Sequence, residues 1–254
     1  MLPYYLYAEG YKKWDKRDFK LFLLTSFFLA FHFIFWISSL SYTSILNSTI
    51  LVTLNPIFVT LFSFIIFKQI PGKGIMWGIF LVLIGSFILY YQPSPPINGQ
   101  VFPQATLGNS LALAGGIFAS LYLICTSILR KRHSLISFVF PVYGFTFLIL
   151  AIFTLLSSTK LTGFRSSEYL LLILFALIPQ IIGHTSYNWA LKIFSPNFIA
   201  ITILGEPIGA TILGILIFKE TPTPLAILGA AMILLAILVS GREEGDKLKN
   251  KMPS

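Results

Sequence analysis

Long apolar runs alternate with short polar breaks along this 254-residue chain. Eight runs lie near the length that crosses a bilayer as a helix, about 20 residues. They cover 21–42, 45–67, 74–91, 107–129, 135–157, 168–190, 195–218 and 222–240. Inside hydrocarbon every backbone N–H and C=O must be bonded within the protein, so each run is predicted to be helical. The fold class is an all-α integral membrane protein with about eight transmembrane helices. Most breaks are short and make consecutive helices antiparallel neighbours. One differs: residues 92–100 are proline-rich and uncharged, and read as part of an exposed linker over 92–106.

The runs also repeat. At an offset of 151 residues Pro56 meets Pro207, Thr60 meets Thr211, Phe67-Lys68 meets Phe218-Lys219, Pro71 meets Pro222 and Gly78 meets Gly229, with no gap. Matched apolar residues mean little in such a chain; matched Pro, Lys and Gly at one offset mean more. The offset carries the second run onto the seventh, five runs later. Five is odd, so the second copy is expected upside down relative to the first, an inverted repeat. The expected division is a 1–20 cytoplasmic segment, a three-helix repeat over 21–91, the external linker 92–106, a five-helix repeat over 107–240 and a cytoplasmic tail over 241–254.

Composition confirms the class: 56% of residues are hydrophobic and 11% charged, with a mean hydropathy of +0.84, whereas soluble domains carry about 25% charged residues. The formal charge of +9 does not indicate nucleic acid, because the cations lie between the apolar runs. With both termini cytoplasmic, 15 of the 18 Lys and Arg fall inside and three outside, the asymmetry that orients membrane proteins. The expected location is the cell membrane, multi-pass. The first run is too long for a cleavable signal and lacks a small-residue cleavage site. The single cysteine, Cys125, lies in an apolar run without metal-ligand spacing around it. Neither a metal nor a cofactor is expected.

Three segments carry a resemblance to a known family: Gly183-His184-Thr185-Ser186-Tyr187-Asn188-Trp189-Ala190-Leu191, Leu204-Gly205-Glu206-Pro207 and Phe218-Lys219-Glu220. Together they resemble the second repeat of EamA-type members of the drug/metabolite transporter superfamily. Asn55-Pro56 and Phe67-Lys68-Gln69 are the weaker first-repeat counterparts. The resemblance covers nearly the whole chain from about residue 20. It implies ten helices in two five-helix repeats, a central cavity, alternating access and export of amino acids, other metabolites or drugs.

Among the nine acidic residues, Glu206 alone lies deep within a run. An ionisable group there costs about 2.5–3.5 kcal/mol on insertion scales and marks a functional candidate. It is expected to be buried and able to exchange protons; the alternative is a protonated acid bonding to backbone that Pro207 leaves free. Pro56 and Pro207 are expected to break their helices. By rise per residue, His32, Asn55 and Glu206 lie ~15–17 Å from the cytoplasmic face and His184 ~10 Å from it. Trp36, Tyr122, Tyr143, Tyr187, Asn188 and Trp189 are aromatic or amide residues within runs. The substrate or ion-binding candidates are Glu206, Asn55, His32, His184, Tyr187, Asn188, Trp36 and Tyr122, each weighed against helix packing. Small residues at four-residue spacing, such as Gly74/Gly78 and Ala112/Gly116/Ser120, are expected to let helices approach closely.

These features favour a secondary transporter, an exporter of a small non-phosphorylated metabolite, amino-acid-like or drug-like. No Lys or Arg lies mid-run to clamp a phosphate. The alternatives are a truncated membrane protein that does not transport, or an intramembrane enzyme; no paired acids or nucleophile set supports the latter, so no enzyme is expected. The expected partners are a small-molecule substrate and the lipid bilayer, with a homodimer compatible and no nucleic acid. Runs four and five, 107–157, have no counterpart at the 151 offset. The chain is therefore expected to be a ten-helix fold lacking its first two helices.

Overall fold

The computed structural model describes residues 15–43, 45–90, 103–157, 162–213, 216 and 224–250. Ten helical segments order the described residues: α1 Lys16–Ser39, α2 Ile45–Val52, α3 Asn55–Phe67, α4 Lys73–Tyr90, α5 Ala105–Arg130, α6 Leu135–Leu156, α7 Ser166–Ala190, α8 Pro196–Ile203, α9 Glu206–Leu213 and α10 Pro224–Lys249. No strand occurs among them. Four helices, α1, α5, α6 and α7, are each long and apolar enough to cross a membrane. Helix α1 begins five residues before the first apolar run, and α10 continues nine residues beyond the last one to Lys249. Most of the expected 92–106 linker and the Phe218-Lys219-Glu220 motif lie outside the described residues.

Helix boundaries obey the 151 offset closely. Segments α2, α3 and α4 start at 45, 55 and 73; α8, α9 and α10 start at 196, 206 and 224. Helix α1 ends at Ser39 and α7 at Ala190, again 151 apart. The breaks agree at the level of single hydrogen bonds. Leu54 N–H donates to the Leu51 carbonyl and Ile57 N–H to Leu54; Gly205 N–H donates to Thr202 and Ile208 N–H to Gly205. The cause is shared: Pro56 and Pro207 have no N–H for the carbonyl four residues back, so the helix tightens by a turn and restarts.

Contacts divide the described residues into two compact units, each considered by itself. One holds the residues up to Phe31 and Tyr122–Ile193; the other holds His32–Leu121 and the residues from Phe194 onward. The core of the second is Ile75, Ile79, Val82, Ile201, Leu204, Ile233 and Ala236. There α4 and α10 run antiparallel through small residues. A Cβ on Gly78 would come within 3.2 Å of the Ala236 carbonyl oxygen, and one on Gly85 within 2.9 Å of that of Gly229. Exchange each residue with its counterpart 151 positions away, and the pair 78–236 becomes 85–229: the interface maps onto itself. Gly116 serves a similar purpose on α5, where a Cβ would meet the Val52 carbonyl oxygen at 2.8 Å, beside the α2–α3 break.

Helix α7 departs from regular geometry in a way the sequence pattern does not show. Residues Ala176–His184 form a π-helical stretch around Pro179. The missing N–H of Pro179 disrupts the i→i−4 ladder, and the longer i→i+5 bonds carry the chain past it.

Candidate functional site

The candidate residues fall into one group in each unit. In the first, Asn188 is fully buried near the end of α7. Its Oδ1 accepts a 2.6 Å hydrogen bond from Tyr122 OH of α5, and its Nδ2 donates to Tyr143 OH of α6 at 3.1 Å. Tyr143 OH lies 3.4 Å from Thr185 Oγ1. Three helices thus meet on one side-chain amide. The buried Arg130 closes the end of this group, donating from Nε to the Asn188 carbonyl at 2.9 Å and from Nη1 to the His133 carbonyl at 2.5 Å. Arg130 is the last residue of α5, where a cation complements the helix dipole. His184 and Tyr187 are half-buried, their rings edge-on at 6.3 Å.

In the second unit α5 is the backdrop. His32 Nδ1 lies 3.0 Å from the Gly115 carbonyl oxygen. Since that carbonyl can only accept, Nδ1 carries a proton and donates it. The Trp36 indole stacks on the His32 ring at 5.7 Å and 12°, and Trp36 also abuts Gly115. One turn further along α5, Ser120 Oγ donates to the Asn55 carbonyl at 3.3 Å and to that of Gly116 at 2.7 Å. Two buried polar atoms in this group lack a hydrogen-bond partner among the described residues: the donor Trp36 Nε1 and the acceptor Asn55 Oδ1. Buried polar atoms are rarely left unmade because of the desolvation penalty. A donor and an acceptor of this kind are complementary to a hydrogen-bonding solute.

Glu206 requires a correction. It is exposed, not buried. It is the first residue of α9, just after the break at Leu204-Gly205. Its counterpart Asn55, first residue of α3, is buried at 4% exposure. Half-helices 151 residues apart thus begin with an amide in one and a carboxyl in the other. Pro56 and Pro207 stand second in those half-helices. Cys125 is buried and free, and no group of three or more His, Cys, Asp and Glu suited to a metal occurs among the described residues.

Further polar groups were not singled out by sequence reasoning. Asn197 Oδ1 accepts from Thr60 Oγ1 at 3.4 Å and Ser63 Oγ at 3.3 Å, joining α3 to α8. Asp18, ahead of the apolar part of α1, accepts from Arg132 Nη1 at 3.0 Å and pairs with His133 Nε2 at 2.9 Å. Burial alone would raise the Asp18 carboxyl, but bonds and charge from His133 and Arg132 outweigh it and hold the group below its ordinary range. The available signal was an Arg-Lys-Arg-His run at the α5–α6 turn together with an acid at the start of α1.

Apolar helices interrupted at matched positions, with polar groups at the interruptions, define the class as a polytopic helical membrane protein. The EamA-like transporter family model matches residues 1–91 and 106–242. The chain belongs to the EamA-like transporter family. It is 25% identical over 217 residues to a protein of Clostridium kluyveri (strain ATCC 8527 / DSM 555 / NBRC 12016 / NCIMB 10680 / K1), covering 83% of this chain and 68% of that one. It is 24% identical over 208 residues to a protein of Archaeoglobus fulgidus (strain ATCC 49558 / DSM 4304 / JCM 9628 / NBRC 100126 / VC-16), covering 82% of this chain and 71% of that one. Both bear the name uncharacterized transporter. A solved crystal structure superposes with a TM-score of 0.73 at 15% identity, over 89% of this chain and 77% of that chain; this likeness speaks for the fold alone.

Proposed function

We propose that this transporter is a secondary exporter of a small, non-phosphorylated metabolite, amino-acid-like or drug-like. It spans the cell membrane eight times as an inverted repeat, with both termini cytoplasmic, and works by alternating access. The observation that carries this reading is the pair of broken helices, α2–α3 and α8–α9, interrupted at positions 151 residues apart and restarting at Asn55 and Glu206. Broken helices at matched places in two repeats are where such transporters build their sites. The self-mapping α4–α10 contact supports inversion, since an antiparallel pair exchanged by the repeat has the form of a two-fold axis. The unpaired Trp36 donor and Asn55 acceptor support a hydrogen-bonding solute, and the sequence has no Lys or Arg mid-run to hold a phosphate.

In this reading Glu206 exchanges the coupling proton and Asn55, His32 and Trp36 contact the solute. The decisive experiment is a metabolite-export or toxicity-resistance screen in cells producing the chain, followed by transport in proteoliposomes. Glu206→Gln should flatten the pH dependence while the protein still inserts, and Asn55→Ala should be milder because an amide releases no proton. Unchanged pH-dependent transport by Glu206→Gln would remove Glu206 from this role. Cysteines at 98 and 250, labelled from outside and inside respectively, check the orientation.

A further inference from the structure

Helix α10 has 26 residues, about 39 Å at 1.5 Å per residue, against a hydrocarbon core of about 30 Å. Its last turns therefore project beyond the apolar stretch, and they carry two adjacent acids. Successive helical residues point about 100° apart, so Glu243 and Glu244 reach different neighbours. The Glu243 carboxylate accepts the N–H groups of Gly74 at 2.6 Å and Ile75 at 3.2 Å, at the start of α4, and pairs with Lys247 on its own helix. The Glu244 carboxylate accepts from Ser195 N–H at 2.5 Å and Ser195 Oγ at 2.9 Å. Ser195 is in turn the N-cap of α8, its Oγ accepting from Phe198 N–H.

Each acid thus occupies a helix start, where N–H groups are unpaired and the dipole favours an anion. The site is shaped for it. A Cβ on Gly72 would collide with the Glu243 carboxylate, and one on Gly74 would stand 2.9 Å from Glu243 Oε2. Burial would raise the Glu243 carboxyl, yet Lys247 and the Ile75 and Gly74 N–H groups hold it below its ordinary range. Glu244 is buried at 5% exposure. The arrangement is also one-sided. Subtracting 151 carries Glu243 and Glu244 to Gln92 and Pro93, neither of them an acid. The helix starts at the other copy's positions, Ile45 and Pro224, have no equivalent carboxylate pair in the sequence.

We propose that Glu243 and Glu244 form a carboxylate latch, fastening the start of α4 and the start of the broken helix α8–α9 to the end of α10 so that this end of the protein rests closed. The proposal builds on the transporter reading. Opening this end draws the end of α10 away from the starts of α4 and α8 and must break both charged caps. The resting chain therefore favours the conformation closed at residues 242–249.

The test uses the full chain in lipid nanodiscs, with Cys125→Ser to remove the native thiol. Ala200→Cys on α8 and Ala236→Cys on α10 each place a reporter where the native residue is fully buried. Glu243→Ala with Glu244→Ala should raise maleimide labelling at position 200 by at least about tenfold, the change implied by losing one hydrogen bond to a charged group. Labelling at position 236 should not rise in parallel. Glu243→Asp with Glu244→Asp should recover part of the protection, and Asp246→Ala, an exposed acid on the same helix, should have no effect. Unchanged labelling at 200 in the double alanine variant overturns the latch. So does an equal rise at 200 and 236 together with a lower melting temperature, which is general loosening. A responsive latch in a chain that carries no solute leaves the latch standing and removes the transporter reading.

Discussion

Helices α1 and α7 are counterparts at the same offset and nearly equal in length, 24 and 25 residues, yet their surroundings are opposite. A third of the most apolar stretch of α1 is buried (33%) and none of that of α7 is (0%). Apolarity does not explain this. From Leu170 to Ile178 every side chain of α7 is apolar and every one is exposed. Helix α1 instead carries specific anchors. Asp18 is held by Arg132 and His133, Phe22 lies against His133 and Phe138 at ring distances of 5.0 and 6.3 Å, and the Ser26 carbonyl accepts from Thr146 Oγ1. Helix α7 becomes buried only near its end, where Asn188 supplies the same kind of anchor. The lesson is one of the membrane as solvent. Lipid tails satisfy an apolar side chain as well as another helix does, so polar bonds and close packing decide which helices associate.

The comparison can be broken by substituting counterparts. Phe22→Ala removes a ring with no exposed surface and should cost about 3–5 kcal/mol. Ile173→Ala, at the matching place on α7, should stay within about 0.5 kcal/mol. Unfolding in mild detergent measures both; equal losses would show that α7 is packed as firmly as α1.

Asp18 gives the next effect. Asp18→Asn should cost about 2–3 kcal/mol, less than a fully buried pair because Arg132 is half-exposed, whereas Tyr169→Phe at the matching position should be neutral. A carboxyl held below its ordinary value contributes stability that is present above the unfolded value and lost as pH falls through the folded one. The melting temperature should therefore drop on acidification below about pH 4, and Asp18→Asn should flatten that part of the profile. A smaller loss than at Phe22 or Asp18 is expected from Asn188→Leu, about 1 kcal/mol. It should appear as faster hydrogen exchange over 185–190, while α1 keeps its protection.

Much of the fold was legible because it rests on periodic or repeated features. Pro56 and Pro207 marked both helix breaks, and α4 and α10 begin at the same offset, at 73 and 224. The sites were less legible. Asn188 could be recognised as an amide within a span, but its partners lie 66 and 45 residues away in sequence, and nothing local announces them. Glu206 was expected to be buried from depth alone; depth does not tell which way a side chain faces when the helix restarts at that residue. Arg132 and Glu243 belong to charged ends whose evident role is orientation, so their bonds to Asp18 and to the start of α4 required the tertiary structure.

The α4–α10 contact has a mechanical corollary. A joint that is carried onto itself when its two members are exchanged looks the same from either end. Tilting the two rods about their small-residue crossing must widen one mouth by as much as it narrows the other, with little change at the crossing itself. Gly78, Gly85 and Gly229 therefore sit at the fulcrum of a balance, and a bulky side chain at any of them would act on both mouths at once.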